Sequence, residues 1–263
     1  MRAYWAVFSA RFRMLLQYRV AALAGCVTQV FWGLIRLMIL WAFYLSSTAR
    51  QPMSYDQVVS YIWLGQAMIM LILFRPDTEI DAMIRSGTVA YELVRPVDLY
   101  RLWFCRGVAG VVAPMMLRMV PILIIAALCF GLGAPASLAA GTLWLLSAGA
   151  AVLLSAAVST LMSISLLWTV SGLGATRLLS ASFYFFSGMV VPLPLFPDWA
   201  QPIIRVLPFR ALADTPFRIY SGHIPPAEAL AAIGHQFAWV VGFALLGQWL
   251  LSRGTRRLVV QGG

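Results

Sequence analysis

Residues 74–106 read FRPDTEIDAMIRSGTVAYELVRPVDLYRLWFCR, a charged stretch in a chain that is otherwise mostly apolar. This stretch contains five of the nine acidic residues and five of the nineteen arginines of the chain. Long apolar runs lie on both sides of it. We name the part from Arg75 to Arg106 the charged loop. A charged segment between apolar runs is where a chain that crosses a bilayer meets water, so the pattern predicts a membrane protein.

The composition of the whole chain leads to the same class. Of its 263 residues, 62% are hydrophobic and only 11% are charged, and the mean hydropathy is +0.85. Apolar runs recur at the length of about 18 residues or more that crosses the hydrocarbon core of a bilayer. The sequence therefore predicts an all-α polytopic membrane protein with a single membrane domain over residues 20–263.

We predict six transmembrane helices from the apolar segments of the sequence. These predicted spans are Val20–Leu45, Gln57–Phe74, Gly107–Leu132, Ser137–Trp168, Leu178–Val191 and Glu228–Leu251. Residues 192–227, between the last two spans, hold eight of the fourteen prolines but keep many apolar side chains. Since a free linker would lose those side chains, we expect short re-entrant helices that pack on the protein at membrane depth.

Residues 1–19 have the pattern of an amphipathic helix, with Arg2 and Arg13 on one side and aromatic side chains on the other. A helix of this kind lies in the membrane interface. The alternative is a cytoplasmic extension of the first span. Arg11 and Arg19 fall within the apolar arc, from which long side chains can reach the lipid headgroups.

The distribution of arginine predicts the orientation. The amino-terminal segment, the charged loop, the turn between spans four and five and the carboxyl-terminal tail hold thirteen arginines, whereas the opposite loops hold four. Because arginine is enriched on the cytoplasmic side, we expect both termini and the charged loop in the cytoplasm. Residues 192–227 are then extracytoplasmic. This bias also explains the net charge of +10, so we expect no nucleic-acid partner.

Local signals in the charged loop predict a short helix over Glu79–Ser86. Thr78 and Asp81 match a capping box, and Gly87 suits the end of a helix. The apolar residues of this helix share one face: Ile80, Met83 and Ile84. Two interpretations stay open. The helix is either a knob that docks into a partner's groove, or part of a solvated loop held by weak local ion pairs.

The chain offers little for catalysis. It has no lysine, so it contains no Walker A loop, whose lysine reaches the phosphates of a nucleotide. Any work driven by ATP therefore needs another subunit. His223 and His235 lack a metal-binding spacing, and the three cysteines fit neither a disulfide framework nor a zinc pattern. We expect no catalytic residue, no metal and no cofactor in this chain.

Two arginines, Arg36 and Arg118, lie inside predicted spans one and three. Charges inside a membrane usually face the bundle interior, a water-filled cavity or a partner. One interpretation is therefore a polar pathway or a subunit interface. The other is that these guanidinium groups cap carbonyls freed by Pro114 and Pro121, or that they reach toward the headgroups.

Two regions resemble bacterial ABC transporter permeases of the type-2 (ABC-2-like) exporter class. The first region is IRSGTVAYELVRP at residues 84–96, followed by DLY at 98–100 and RGVAGVVAPMMLRMVP at 106–121. The second combines FSGMVVPLPLFPDW at 186–199 with LPFRALADTPFRIYSG at 207–222. The resemblance covers nearly the whole chain.

This resemblance implies a multi-pass subunit of the bacterial inner membrane whose loop between spans two and three carries a coupling helix. On that mapping Thr78–Ser86 docks on a separate ATPase, which binds ATP and magnesium, and a second permease, either a sibling or a copy, completes the exporter. The residues that dock on the ATPase are then Asp77, Thr78, Glu79, Asp81, Met83, Ile84, Arg85, Glu92 and Arg95. The alternative function is a membrane anchor or assembly module that transports nothing.

Overall fold

The computed structural model describes residues 2–48, 51–169 and 173–257, and all regular structure in these residues is helical. This confirms the predicted all-α class. The α-helices are α1 (Arg2–Leu15), α2 (Arg19–Ser46), α3 (Tyr55–Ala67), α4 (Thr78–Arg85), α5 (Ala90–Leu93), α6 (Leu99–Cys129), α7 (Leu138–Ser165), α8 (Leu173–Phe186), α9 (Gln201–Val206), α10 (Asp214–Tyr220) and α11 (Pro226–Gly254). Arg50 and the tail beyond residue 257 lie outside the described residues. The turn between spans four and five is predicted at Ser171, Gly172, Gly174 and Arg177. Its first two residues also lie outside the described residues, whereas the other two belong to α8, so for them the prediction was wrong.

Four of these helices, α2, α6, α7 and α11, are long and apolar enough to cross a membrane. They contain 28 to 31 residues each, and at about 1.5 Å per residue each exceeds the hydrocarbon core. The chain is therefore a multi-pass membrane protein. Helix α1 precedes them and packs along α6, and α7 packs against both α6 and α11.

The second predicted span is not one continuous helix. Helix α3 ends at Ala67, a 3₁₀ turn follows at Ile69–Leu71, and the chain then runs without regular structure to Asp77. All of α3 from Val58 to Ala67 is buried, so protein rather than lipid surrounds it. Irregular backbone is tolerated at membrane depth where protein buries it, which allows this helix to stop early.

The fifth predicted span also differs from the structure. Helix α8 begins and ends five residues before the predicted Leu178–Val191. It contains 14 residues, or about 21 Å of helix, which is less than the hydrocarbon core. Gly188 follows it with a φ of +93°, a conformation that residues with a Cβ atom avoid. Helices α3 and α8 are therefore both shorter than a helix that crosses a bilayer unaided.

Helix α6 begins at Leu99, eight residues before the predicted third span. Asp98 caps this start, since its Oδ1 accepts a hydrogen bond from the Arg101 amide at 2.7 Å. The Asp98 amide in turn donates to the Tyr4 hydroxyl of α1 at 2.9 Å. The last part of the charged loop is therefore the first two turns of a long helix.

Residues 192–227 pack on the protein, as the retained apolar side chains indicated. They form α9, α10 and 3₁₀ turns at Leu193–Leu195 and Pro208–Ala211. A buried hydrogen bond fixes α10 to α3, because the Tyr61 hydroxyl donates to Asp214 Oδ1 at 3.0 Å. Arg218 lies 3.2 Å from the other oxygen of this carboxylate. The segment is thus a built part of the fold rather than a linker.

Candidate functional site

Helix α4, the short helix of the charged loop, begins one residue earlier than predicted. Its cap is Asp77, whose Oδ1 accepts hydrogen bonds from the amides of Glu79 at 2.8 Å and Ile80 at 3.3 Å. The predicted capping box of Thr78 and Asp81 was wrong. Asp81 instead forms an ion pair with Arg85, one turn along the helix, at 2.8 Å.

Arg11 connects the amino-terminal helix α1 to the start of α4. Its guanidinium lies 3.2 Å from Asp77 Oδ2 and also forms an ion pair with Glu79. The Arg11 side chain is only 15% exposed. The expectation that Arg11 reaches the headgroups was therefore wrong, because the carboxylates of Asp77 and Glu79 bind it.

Arg106 makes a second connection, between α6 and the charged loop. Its Nη2 lies 3.5 Å from Glu79 Oε2 and 3.7 Å from Glu92 Oε1. The Trp103 indole N–H donates to Glu92 Oε2 at 2.8 Å. Because Glu92 is only 3% exposed, its carboxylate stabilises the loop from inside and does not reach the surface.

The apolar face of α4 packs on the protein. Ile80 is buried, and Met83 and Ile84 are half-buried beside it. They belong to one apolar cluster with Trp103 and other residues of α6 and with Ile164 of α7. This face therefore fixes α4 in position.

Other apolar side chains of the charged loop are exposed. Tyr91 is 72% exposed and Val94 is 81% exposed, and Leu93 lies between them. We name these three residues the apolar tip. Of the nine residues predicted to dock on a partner, four are exposed, namely Thr78, Glu79, Arg85 and Arg95. The half-buried ones are Asp77, Asp81, Met83 and Ile84, and Glu92 is buried.

The two intramembrane arginines have different surroundings. Arg36 Nη1 donates to the Met189 carbonyl at 2.6 Å, and Nη2 bonds the Tyr184 hydroxyl. Arg36 thus connects α2 to α8 and the segment that follows it. Arg36 binds the carbonyl of Met189, not a carbonyl freed by Pro114 or Pro121. The interpretation that Arg36 caps such a carbonyl was therefore wrong.

Arg118 packs its guanidinium against the backbone of α2. A Cβ atom placed on Gly25 would lie 2.6 Å from Arg118 Cζ, so the glycine provides the space. The Arg118 Nε is buried without a hydrogen-bond partner in the described part of the chain. Gly25 lies in the second turn of α2. Arg118 therefore meets α2 near the end of α2 that follows α1.

The sequence did not predict that Arg11, Trp103 and Arg106 bind the carboxylates of the charged loop. A signal existed for Trp103, since Leu99, Leu102 and Trp103 follow the capping residue Asp98 at helical spacing. No local signal existed for Arg11, because its partners lie 66 and 68 residues away in the sequence.

These features define a multi-pass helical membrane protein with a rigid charged surface at one end. A comparison with protein-family models matches residues 30–262 to the family described as ABC-2 family transporter protein. The chain belongs to this family, which confirms the resemblance stated above, and it is a permease-type membrane component that associates with an ABC ATPase. A search of curated proteins finds no match to the chain.

Proposed function

We propose that the chain is the permease of an ATP-driven exporter in a bacterial inner membrane. In this proposal α3 and α8 complete six spans of the domain over residues 20–263, and α1 lies at the cytoplasmic interface. The helices of residues 192–227 are re-entrant from the outside, and both termini are cytoplasmic. A second permease, either a sibling or a copy, supplies the other half of the pathway.

The observation that carries this proposal is that some residues of the charged loop bind the rest of the protein while others stay exposed. The loop is fixed to α1 by Arg11 and to α6 by Arg106 and Glu92. The exposed side chains of the loop include the apolar tip and the arginines Arg85 and Arg95. Exposed aromatic and aliphatic side chains rimmed by charges are typical of a protein interface. We therefore propose that the loop docks on a separate ATPase through the apolar tip and these arginines.

In this arrangement ATP and magnesium bind the partner. The permease responds only to a conformational change of that partner. A displacement of the loop passes to α6 through the buried contacts of Glu92 with Arg106 and Trp103, and to α1 through Arg11. Asp77, Glu79 and Glu92 act as positioning residues in this proposal, because their carboxylates bind residues of this chain.

The test introduces a charge at the apolar tip. In a pull-down of the tagged full-length chain from its native membranes, Val94→Asp should reduce recovery of an ATPase, identified by its P-loop peptide, by about tenfold or more, because the aspartate would be desolvated in the interface. The matched control is Leu138→Asp. Leu138 is 87% exposed, and it begins α7, where an acidic residue suits the helix start.

The two possible results separate the proposed functions. Loss of the ATPase with Val94→Asp but not with Leu138→Asp supports docking at the charged loop. Equal recovery with both variants would contradict it. The alternative function, a membrane anchor that transports nothing, predicts that the recovered ATPase shows no stimulation by any transported compound after the complex is reconstituted in vesicles.

A further inference from the structure

A cavity of about 380 Å³ lies between α1, the start of α4, α6 and α7. Four arginines line it, namely Arg11, Arg75, Arg106 and Arg118. On α6, Arg106, Gly110, Pro114 and Arg118 follow each other at intervals of four residues, so they share one face of this helix. The small residues in the middle leave space, and a guanidinium stands at each end. The cavity is therefore a groove with positive ends.

The arginines that line this cavity have hydrogen-bond donors without an acceptor among the described residues. One buried nitrogen on each of Arg11, Arg106 and Arg118 lacks a hydrogen-bond partner among the described residues: Nε of Arg11, Nη1 of Arg106 and Nε of Arg118. Buried donors without an acceptor are costly, and guanidinium groups form their strongest hydrogen bonds with carboxylates and phosphates. These three nitrogens are enclosed by the protein. The terminal nitrogens of Arg118 and the guanidinium of Arg75 are not among the buried atoms and have no ion-pair partner in the described residues.

The charges of the cavity favour a singly charged anion. The carboxylates that line the cavity or bind its arginines are those of Asp77, Glu79 and Glu92. Four arginines against three carboxylates leave one net positive charge. Arg75 and Arg118 form no ion pair within the described ranges of the chain. A phosphate diester, as in a phospholipid headgroup, carries one negative charge and matches this balance.

The position of the cavity also suits a headgroup. Gly25, which contacts Arg118, is six residues from the start of α2 at Arg19, or about 9 Å along the helix axis. Apolar side chains of Leu15, Met70 and Leu73 line the same cavity. Basic pockets between membrane helices, on the side where the headgroups lie, bind anionic lipid headgroups.

We propose that this cavity binds a phosphate group, carried by an anionic phospholipid, between Arg118 and the other three arginines that line it. Bound phosphate oxygens would accept hydrogen bonds from the guanidinium groups of Arg75 and Arg118, which form no ion pair in the described part of the chain. Because Asp77 and Arg11 line the cavity, a bound lipid also contacts the junction between α1 and α4. The proposal concerns the chain alone and does not depend on a docked ATPase.

The experiment measures the thermal stability of the purified full-length chain in detergent during titration with short-chain phosphatidylglycerol. A ligand that binds only the folded state raises the unfolding temperature in proportion to its affinity. Phosphatidylcholine, whose headgroup has no net charge, should bind weakly. Inorganic phosphate, titrated separately, tests whether the free anion occupies the same site.

The variants remove the two arginines that have no ion pair. Arg75→Gln/Arg118→Gln should weaken phosphatidylglycerol binding by about tenfold or more, because two donors of charge-assisted hydrogen bonds are lost. The matched control, Arg2→Gln/Arg177→Gln, removes the same charge from exposed positions outside the cavity. The single variant Arg75→Gln, at an exposed position, gives a second test that is independent of packing around Arg118.

Each outcome decides the proposal. Selective loss of phosphatidylglycerol binding in the cavity variants supports it. Protection by inorganic phosphate at similar concentrations would support the site but assign it to the free anion. Equal effects of the cavity and control variants would show non-specific attraction and overturn the proposal, as would a chain that neither ligand stabilises.

Discussion

Glu92 was predicted to contact a partner at the surface, but its carboxylate lies inside the protein. Its carboxylate accepts from the Trp103 indole at 2.8 Å and lies 3.7 Å from Arg106. Glu92→Gln keeps an acceptor for Trp103 but removes the negative charge beside a mostly buried arginine. We expect it to lower the stability of the chain by about 1–3 kcal/mol, measured as a lower unfolding temperature in detergent.

The control for this prediction is Asp81→Asn, which makes the same chemical change at the exposed ion pair with Arg85. Exposed pairs of this kind contribute only about 0–1 kcal/mol, so the unfolding temperature should change little. If the two variants lost the same stability, Glu92 would not have the structural role that its burial indicates.

Gly188 occupies a position that other residues do not fit. Its φ is +93°, and a Cβ atom there would overlap the Tyr61 hydroxyl, which donates to Asp214. Gly188→Ala should therefore lower the unfolding temperature, with a loss of about 2–4 kcal/mol from the strained backbone and the displaced hydrogen bond. Gly149→Ala is the control, since Gly149 lies within α7 and has open space around it. Unchanged stability of Gly188→Ala would contradict the described geometry.

At the scale of elements, α4 is held by contacts with α1 and α6 rather than by its own length. An isolated helix of eight residues is unstable in water, because helix nucleation is unfavourable. Arg11→Gln removes the ion pairs to Asp77 and Glu79. We expect the amides of α4 to exchange hydrogen faster in this variant, by about tenfold, as measured by mass spectrometry of peptides that cover residues 78–86.

Arg13→Gln provides the matched control for this prediction. Arg13 lies on the same helix, two residues further along, but its side chain is exposed. Exchange in α4 should stay unchanged in that variant. Equal acceleration in both variants would mean that the charge of α1, rather than the specific contact of Arg11, affects α4.

The elements differ in how well the sequence predicts them. The position of α4 followed from local signals to within one residue, because the residues at its start and Gly87 after it act within one turn, although the cap is Asp77 rather than Thr78. The early end of α3 was not predictable in this way. Its apolar sequence continues to Phe74, and only the surrounding helices, which bury Val58–Ala67, permit the chain to leave the helix there. Likewise, Arg11 contacts residues far away in the sequence, and periodicity within one helix carries no information on such a partner.

At the scale of the whole molecule, we predict the orientation from the arginine distribution. In that orientation the charged loop and the start of α7 would lie on opposite sides of the membrane. In a chain whose three cysteines are replaced by alanine, a membrane-impermeant maleimide should label Leu138→Cys in intact cells. It should label Val94→Cys only after the cells are permeabilised. Both positions are more than 80% exposed, so accessibility within the protein does not limit either reaction. The reverse labelling would contradict the orientation.

The central claim is that the charged loop meets an ATPase through its apolar tip. The most direct measurement places a photo-crosslinking phenylalanine at Tyr91, which is 72% exposed, and irradiates native membranes that contain the full-length chain. We predict a covalent adduct with a protein whose peptides include a P-loop, and no such adduct from the same group placed at Leu138. An adduct with the ATPase from Leu138 but not from Tyr91 would contradict the claim.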